Sequence, residues 1–190
     1  MRAGPRKNVF FNSEDVRACI VTCGGLCPGL NVVIREIVNC LYFNYRVKAV
    51  YGIRYGHKGF YKYDWEELTP ESVLNIHHLG GSVLGSSRGG FDIDKILDQV
   101  IKNGINQIYC IGGDGTHRSI YELFKEISKR KLKITIAGVP KTIDNDIPII
   151  DKSFGFESAV EVRKIGESHL TRNLGSNKSN KIRRCRSKCC

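Results

Sequence analysis

Apolar positions along the chain fall into two rhythms. Unbroken apolar runs at 17–23 (RACIVTC), 47–55 (VKAVYGIRY), 106–112 (NQIYCIG) and 132–141 (LKITIAGVPK) predict strands. Spacings of three and four predict helices between them. In 31–43 the apolar face is Val32, Val33, Ile37, Val38 and Leu41. A second helix is expected after Thr69, with Pro70 in its first turn and Val73, Ile76 and Leu79 behind. Asp92 caps DIDKILDQVIKNG, which Gly104 closes. HRSIYELFKEISKRK (117–131) is a further helix, and ESAVEVRKI begins the last. Strand and helix alternate, so the expected fold is α/β, a doubly wound, mostly parallel sheet.

In such a sheet, ligands bind beyond the carboxyl ends of the strands. Three polar or glycine-rich loops leave that edge: GGLCPGLN (24–31), GGDGT (112–116) and PKTIDND (140–146). Glycines between a strand and a helix bring backbone N–H groups close to an anion, which the helix dipole also favours. The Asp between glycines in GGDGT suits Mg²⁺, which bridges one or two carboxylates to phosphate oxygens. The same Asp would also serve as a plain helix cap. Asp144 and Asp146 lie two apart, and in an extended loop they would face one side. Phosphoryl transfer to an alcohol needs a carboxylate to accept the hydroxyl proton, and one of this pair is the natural base. Arg88, in the loop GGSVLGSSRGG (80–90), is the cation for charge developing on the transferred group.

Composition narrows the class. The chain has 190 residues, 41% hydrophobic and 26% charged, which excludes collagen, coiled coil and wholesale disorder. No run approaches the ~20 apolar residues of a membrane span, so no membrane association is expected. Nine basic residues and one acid lie from Arg163 to Cys190, a net +8 of the chain's +11. That tail is polar and poor in large apolar residues, and is expected to be disordered and merely solvated rather than a nucleic-acid surface. Cys19, Cys23 and Cys110 sit in apolar segments and read as reduced core thiols in the cytoplasm. The cysteine and histidine spacings do not match a zinc site.

Taken together and in order, CGGLCPGLN, GGSVLGSSRGG, IGGDGT and PKTIDNDIPIIDKSFGF resemble the ATP-dependent 6-phosphofructokinase family, closest to its plant and protist type. The resemblance covers about Arg17 to Val160, and implies transfer of a phosphoryl group from Mg-ATP to fructose 6-phosphate in glycolysis. It implies that Gly24 and Gly25 cradle nucleotide phosphates, that Arg88 and Gly89 line the nucleotide site, and that Gly113, Asp114, Gly115 and Thr116 form a second phosphate loop with Asp114 on Mg²⁺. Lys141, Thr142, Ile143 and Asp144 would meet the sugar phosphate. Asp144 would be the catalytic proton acceptor, and Asp146 would support the metal or orient that loop. Gly115 leaves room for the α-phosphate of ATP where pyrophosphate-using relatives carry an acid, whereas Lys141 is common among those relatives. Plant-type ATP enzymes combine a glycine and a lysine at these two positions, so the resemblance implies ATP, with pyrophosphate as the alternative donor. Other readings are a GGDGT kinase acting on NAD or a lipid, and a non-catalytic nucleotide-binding fragment.

The chain departs from the pattern at His57, where members often carry a tyrosine near the nucleotide. It also lacks the M-G-R motif and later arginines of the second domain; its sole methionine is Met1. The expected organisation is therefore a lead-in (1–16), a nucleotide- and Mg-binding domain (17–162) and a divergent basic tail (163–190). The expectation is a truncated member, weak or inactive alone, whose complete form is a homo-oligomer (a tetramer in the family).

Overall fold

The computed structural model describes residues 10–147 and 150–173, with side chains in the last helix through Lys164. β1 (Arg17–Thr22) is the central strand, and every residue after Arg17 is buried. A strand buried on both faces must be apolar throughout, which is why this run shows no alternation. β1 pairs in parallel with β2 (Ala49–Ile53) on one side and β4 (Gln107–Gly112) on the other. β5 (Thr135–Pro140) extends the sheet beside β4, again in parallel. A two-residue strand, β3 (Glu66–Glu67), closes the far edge antiparallel to β2, giving the order β3-β2-β1-β4-β5.

Helices cover both faces. α1 (Leu30–Asn39) packs Leu30, Ile34 and Val38 with Ile20 and Ile111 on one face. α3 (Ile93–Lys102) and α4 (Asp114–Lys129) pack Ile96, Leu97 and Leu123 with Val21 and Ile108 on the other. The chain winds from β1 outward to β2, then crosses back to β4. Strand order thus reverses at the β1–β4 seam, and the loops after these two strands diverge to opposite faces. That leaves a crevice at their carboxyl ends, where ligands bind in open α/β sheets.

The predicted Asp92 cap is present, its side chain accepting from the Lys95 N–H at 3.2 Å. Three local expectations change. No α-helix follows Thr69: Thr69 and Ser72 exchange hydrogen bonds as a cap would, but only turns and one 3₁₀ turn at Ile76–His78 form. Asn75 leaves helical geometry (φ −112°), and Asn31 Nδ2 takes the carbonyl of Leu79 at 2.9 Å, drawing the segment out over α1. A short helix, α2 (Gly59–Lys62), and β3 occupy a stretch with no predicted element. The final helix, α5 (Phe156–Asn173), runs on past residue 163 into the segment expected to be tail; the rest of that tail lies outside the described residues.

Candidate functional site

All three predicted loops emerge at the same edge. Residues 23–29 follow β1, 113 follows β4, and 141–147 follow β5. The 80–90 loop is stitched to that edge as if it were sheet. Cys23 and Ser87 form a parallel bridge, the Gly24 N–H donates to Ser87 O at 3.1 Å, and the Tyr55 N–H to Leu84 O at 2.9 Å. Ser86 Oγ donates to Gly24 O at 2.7 Å and Thr22 Oγ1 to Gly85 O at 2.5 Å. Gly24 sits at φ +84°, a left-handed conformation that glycine adopts without strain.

These loops enclose a cavity of about 420 Å³ lined by Gly24, Gly25, Arg88, Gly89, Gly113, Gly115, Thr116 and Lys141. Every predicted nucleotide-side residue except Asp114 is among them. A side chain at Gly115 would meet nothing within 4 Å, so that position opens onto free space. Thr116 is buried, and its side chain packs over Gly112, where any Cβ would collide with it.

A second cavity of about 810 Å³ adjoins the first and shares Gly25, Arg88, Gly113 and Lys141 with it. Asp114, Thr142, Ile143, Asp144 and Asp146 line this one. Asp114 and Asp144 therefore face a common cleft, the arrangement phosphoryl transfer requires. Lys141 is only 5% exposed and lines both cavities, and its Nζ lies 3.8 Å from where a Cβ on Gly24 would stand.

The acid pair is not arranged as a spacing of two in an extended loop would give. Asn145, between the aspartates, lies at φ +54°, so the loop curls. Asp146 turns back to accept from Thr142 Oγ1 at 2.6 Å, and Thr142 Oγ1 also accepts from the Asp144 N–H at 3.1 Å. Both residues still line the cleft, for a different reason from the one read in the sequence. Asn145 holds the curl, donating to Asp151 O at 3.1 Å and accepting from the Ser153 N–H at 2.7 Å.

Asp114 is the first residue of α4, Gly113 being the cap, and it is ion-paired with Arg118 at 2.9 Å. The helix starts earlier than the expected His117. This earlier start brings His117 into the larger cavity and Ser119 into the smaller, and neither was anticipated. Extending the helical spacing back through GGDGT would have found both. Leu26, Ser87 and Phe91 also line the clefts without distinctive sequence signals.

Cys23 and His57 form part of the smaller cavity's wall. Burial pushes the Cys23 thiol up to about 12, which removes it as a nucleophile near neutral pH. Burial lowers the His57 imidazole below its usual value, so the ring is neutral there; it meets Phe91 edge-on at 5.2 Å.

Comparison with known proteins bears directly on this arrangement. The phosphofructokinase family model matches residues 17–170. The chain belongs to the phosphofructokinase family. It is 57% identical over 171 residues to ATP-dependent 6-phosphofructokinase 1 of Arabidopsis thaliana, covering 89% of this chain and 36% of that relative. It is 44% identical over 181 residues to ATP-dependent 6-phosphofructokinase of Borreliella burgdorferi, covering 93% of this chain and 40% of that relative. Among solved structures, the T-state phosphofructokinase of Pichia pastoris matches with TM-score 0.67 at 25% identity, over 77% of this chain and 17% of that one. A pyrophosphate-dependent phosphofructokinase from Nitrosospira multiformis shares the fold with TM-score 0.71 at 18% identity, over 85% of this chain and 44% of that one. The chain thus spans less than half the length of each of these phosphofructokinases.

Proposed function

We propose that this polypeptide carries the donor-binding and proton-accepting parts of a 6-phosphofructokinase, transferring the γ-phosphoryl group of ATP to the 1-hydroxyl of fructose 6-phosphate. The observation that carries the reading is the pair of adjoining cavities, whose walls share Lys141 and Arg88. The smaller, floored by Gly24, Gly25, Gly113 and Gly115, suits a polyphosphate cradled by backbone N–H groups. The larger, with Asp144 at its wall, suits the acceptor sugar.

Asp144 takes the proton as the sugar oxygen bonds to the γ-phosphorus and the bond to the leaving β-phosphate oxygen breaks. Arg88 and Lys141 balance negative charge on the moving group, a contribution that grows as charge develops. Thr142 holds Asp146 in place beneath the same loop. The oxygen-only donors Asp114 and Asp146 fit Mg²⁺, and no cluster of three or more ligating side chains forms among the described residues. A metal that keeps its waters and leans on substrate phosphates needs no closed cage. Asp114 would hold it, with Asp146 in support, and when bound it neutralises phosphate charge.

The donor is ATP on this reading. The free space at Gly115 admits an α-phosphate, and the relatives compared above at 44% and 57% identity are named ATP-dependent. Lys141 is compatible with either donor. The fold class and PKTIDND favour a sugar phosphate over NAD or a lipid as acceptor. A homo-oligomer and a cytoplasmic location belong to the same proposal; no helix among the described residues is long and apolar enough to cross a membrane.

The test is fructose 1,6-bisphosphate formation by the purified polypeptide from fructose 6-phosphate with ATP or pyrophosphate as donor, with NAD and diacylglycerol offered to ATP as alternative acceptors, alongside calorimetry of ATP binding with Mg²⁺. Product from ATP and the sugar phosphate, or Mg²⁺-dependent ATP binding weakened by Gly115→Asp, supports the reading. Phosphorylation of NAD or lipid, or ATP binding indifferent to Gly115→Asp, overturns it.

A further inference from the structure

Among the described residues the sheet ends at β5, with one side of that strand unpaired. The Thr135 N–H donates to Asn106 O and the Lys141 N–H to Gly112 O, both at 2.9 Å. Backbone groups alternate in direction along a strand, so Ala137 and Val139 also turn to β4. Ile136, Gly138 and Pro140 then turn outward, where no described strand meets them. Ala137 and Gly138 are exposed, as an uncovered edge requires. Proline has no N–H, which leaves two outward donors on this strand, at Ile136 and Gly138. A row of such unpaired groups is a template for another strand.

α4 lays an aromatic border along the same edge. The His117 imidazole lies over Gly138, 2.7 Å from where a Cβ would stand. Tyr121 and Phe124 follow His117 on one helical stripe and are 58% and 50% exposed. The other flank of α4 faces α3, where Arg130 pairs with Asp94 at 2.5 Å. The buried stripe of Ile120, Leu123 and Ile127 runs between the two flanks, so Tyr121 and Phe124 stand on the outer one.

The edge is complementary to itself. Two copies of β5 laid antiparallel, about a two-fold axis normal to the sheet at Ala137, set Ile136 of each opposite Gly138 of the other. Each such pair exchanges both N–H···O bonds. Both outward donors are used, and Pro140 stays beyond the ladder, where it blocks nothing. Charge fits the same orientation. Lys131 and Lys133 are exposed at the amino end of β5, and Asp144 and Asp146 are exposed past its carboxyl end. An antiparallel pair sets each basic end beside the other copy's acidic end, whereas a parallel pair would set like against like. We propose that two copies of this polypeptide join along β5 in this register, with Tyr121 and Phe124 of each closing over the seam. This gives the homo-oligomer of the reading above an interface, and rests on that reading for the oligomer alone, not for the chemistry of the cleft.

The experiment measures mass by sedimentation velocity, in reducing buffer so that thiols cannot link copies, and amide exchange by NMR. A concentration-dependent dimer is expected. A Tyr121→Glu/Phe124→Glu variant should raise its dissociation constant at least about tenfold, since each copy loses two apolar contacts. Both are surface positions, and circular dichroism checks that the fold is kept. In the parent protein, at roughly ten times the dissociation constant, the Ile136 and Gly138 amides should exchange about fivefold more slowly than in the monomer, while those of Ala137 and Val139 change little. A monomer up to about 100 μM, a dimer whose Ile136 and Gly138 amides exchange as in the monomer, or a dimer that the folded double variant leaves intact overturns the proposal. Neither measurement reads turnover, so failure of the kinase assignment and failure of this interface are told apart.

Discussion

The two halves of the cleft are built by different means. The donor half is an extension of the sheet: backbone hydrogen bonds tie Cys23 to Ile111 and Gly24 to Ser87, and hydroxyls of Thr22 and Ser86 pin the adjoining turns. The acceptor half hangs from β5, an edge strand, and its curl depends on side chains within one loop, chiefly Asn145, Thr142 and Ser153. Ile143 stands 45% exposed at its wall, and Leu26 opposite is 58% exposed. Backbone ladders hold geometry whatever the side chains do, whereas a loop held by amide and hydroxyl contacts is only as fixed as those contacts. On the proposed function, the ladder fixes the backbone beside which phosphate would bind, and the side-chain-braced loop aims the one carboxylate that proton transfer needs.

That contrast can be broken from either side. Asp144→Asn should lower turnover by about 10²–10⁴-fold, the usual worth of a general base, while leaving ATP affinity unchanged in calorimetry. Loss of ATP binding in this variant would mean that the halves are not separable. Gly115→Asp is the converse. A carboxylate in the donor cavity meets phosphate charge, and ATP affinity should fall about 10–100-fold, from ~1–3 kcal/mol of repulsion at intermediate dielectric. Affinity for the sugar phosphate should not move.

Smaller changes test the bracing itself. Asn145→Ala removes two hydrogen bonds and puts alanine at a positive φ, a local cost of about 2 kcal/mol. Hydrogen exchange in residues 142–147 should accelerate about 30-fold, with no change around Gly24. Ser86→Ala deletes one hydroxyl contact worth about 1 kcal/mol. Because the ladder remains, ATP affinity should weaken about fivefold or less. A larger loss than in Gly115→Asp would show that the hydroxyl pins, not the ladder, hold the donor half.

Legibility in the sequence followed the same division. Buried strands and amphipathic helices announce themselves by periodicity, so β1, α1, α3, β4 and β5 were all expected. The glycine loops were also expected, because several of them leave one sheet edge in order. The segment after Thr69 was misread as a helix since its cap chemistry is real; the departure at Asn75 and the hydrogen bond from Asn31 to Leu79 O are recorded in no local pattern. Asp144 and Asp146 were found, but on a spacing argument that the curl at Asn145 replaces. His117 and Ser119 were hidden by placing the start of α4 three residues late. The place of Lys141 in both cavity walls depends on the packing of three loops, and motif spacing carries no such information.

The sheet's connectivity also dictates when the crevice comes into being. Arg17 and Asn106 are joined by a hydrogen bond across 89 residues, and the β1–β4 seam cannot zip until that long stretch has been closed, a slow and entropically costly event. A nucleotide has nothing to grip before then. It should act on the kinetics of unfolding, retarding escape from the finished sheet, and leave the rate of chain collapse and assembly untouched.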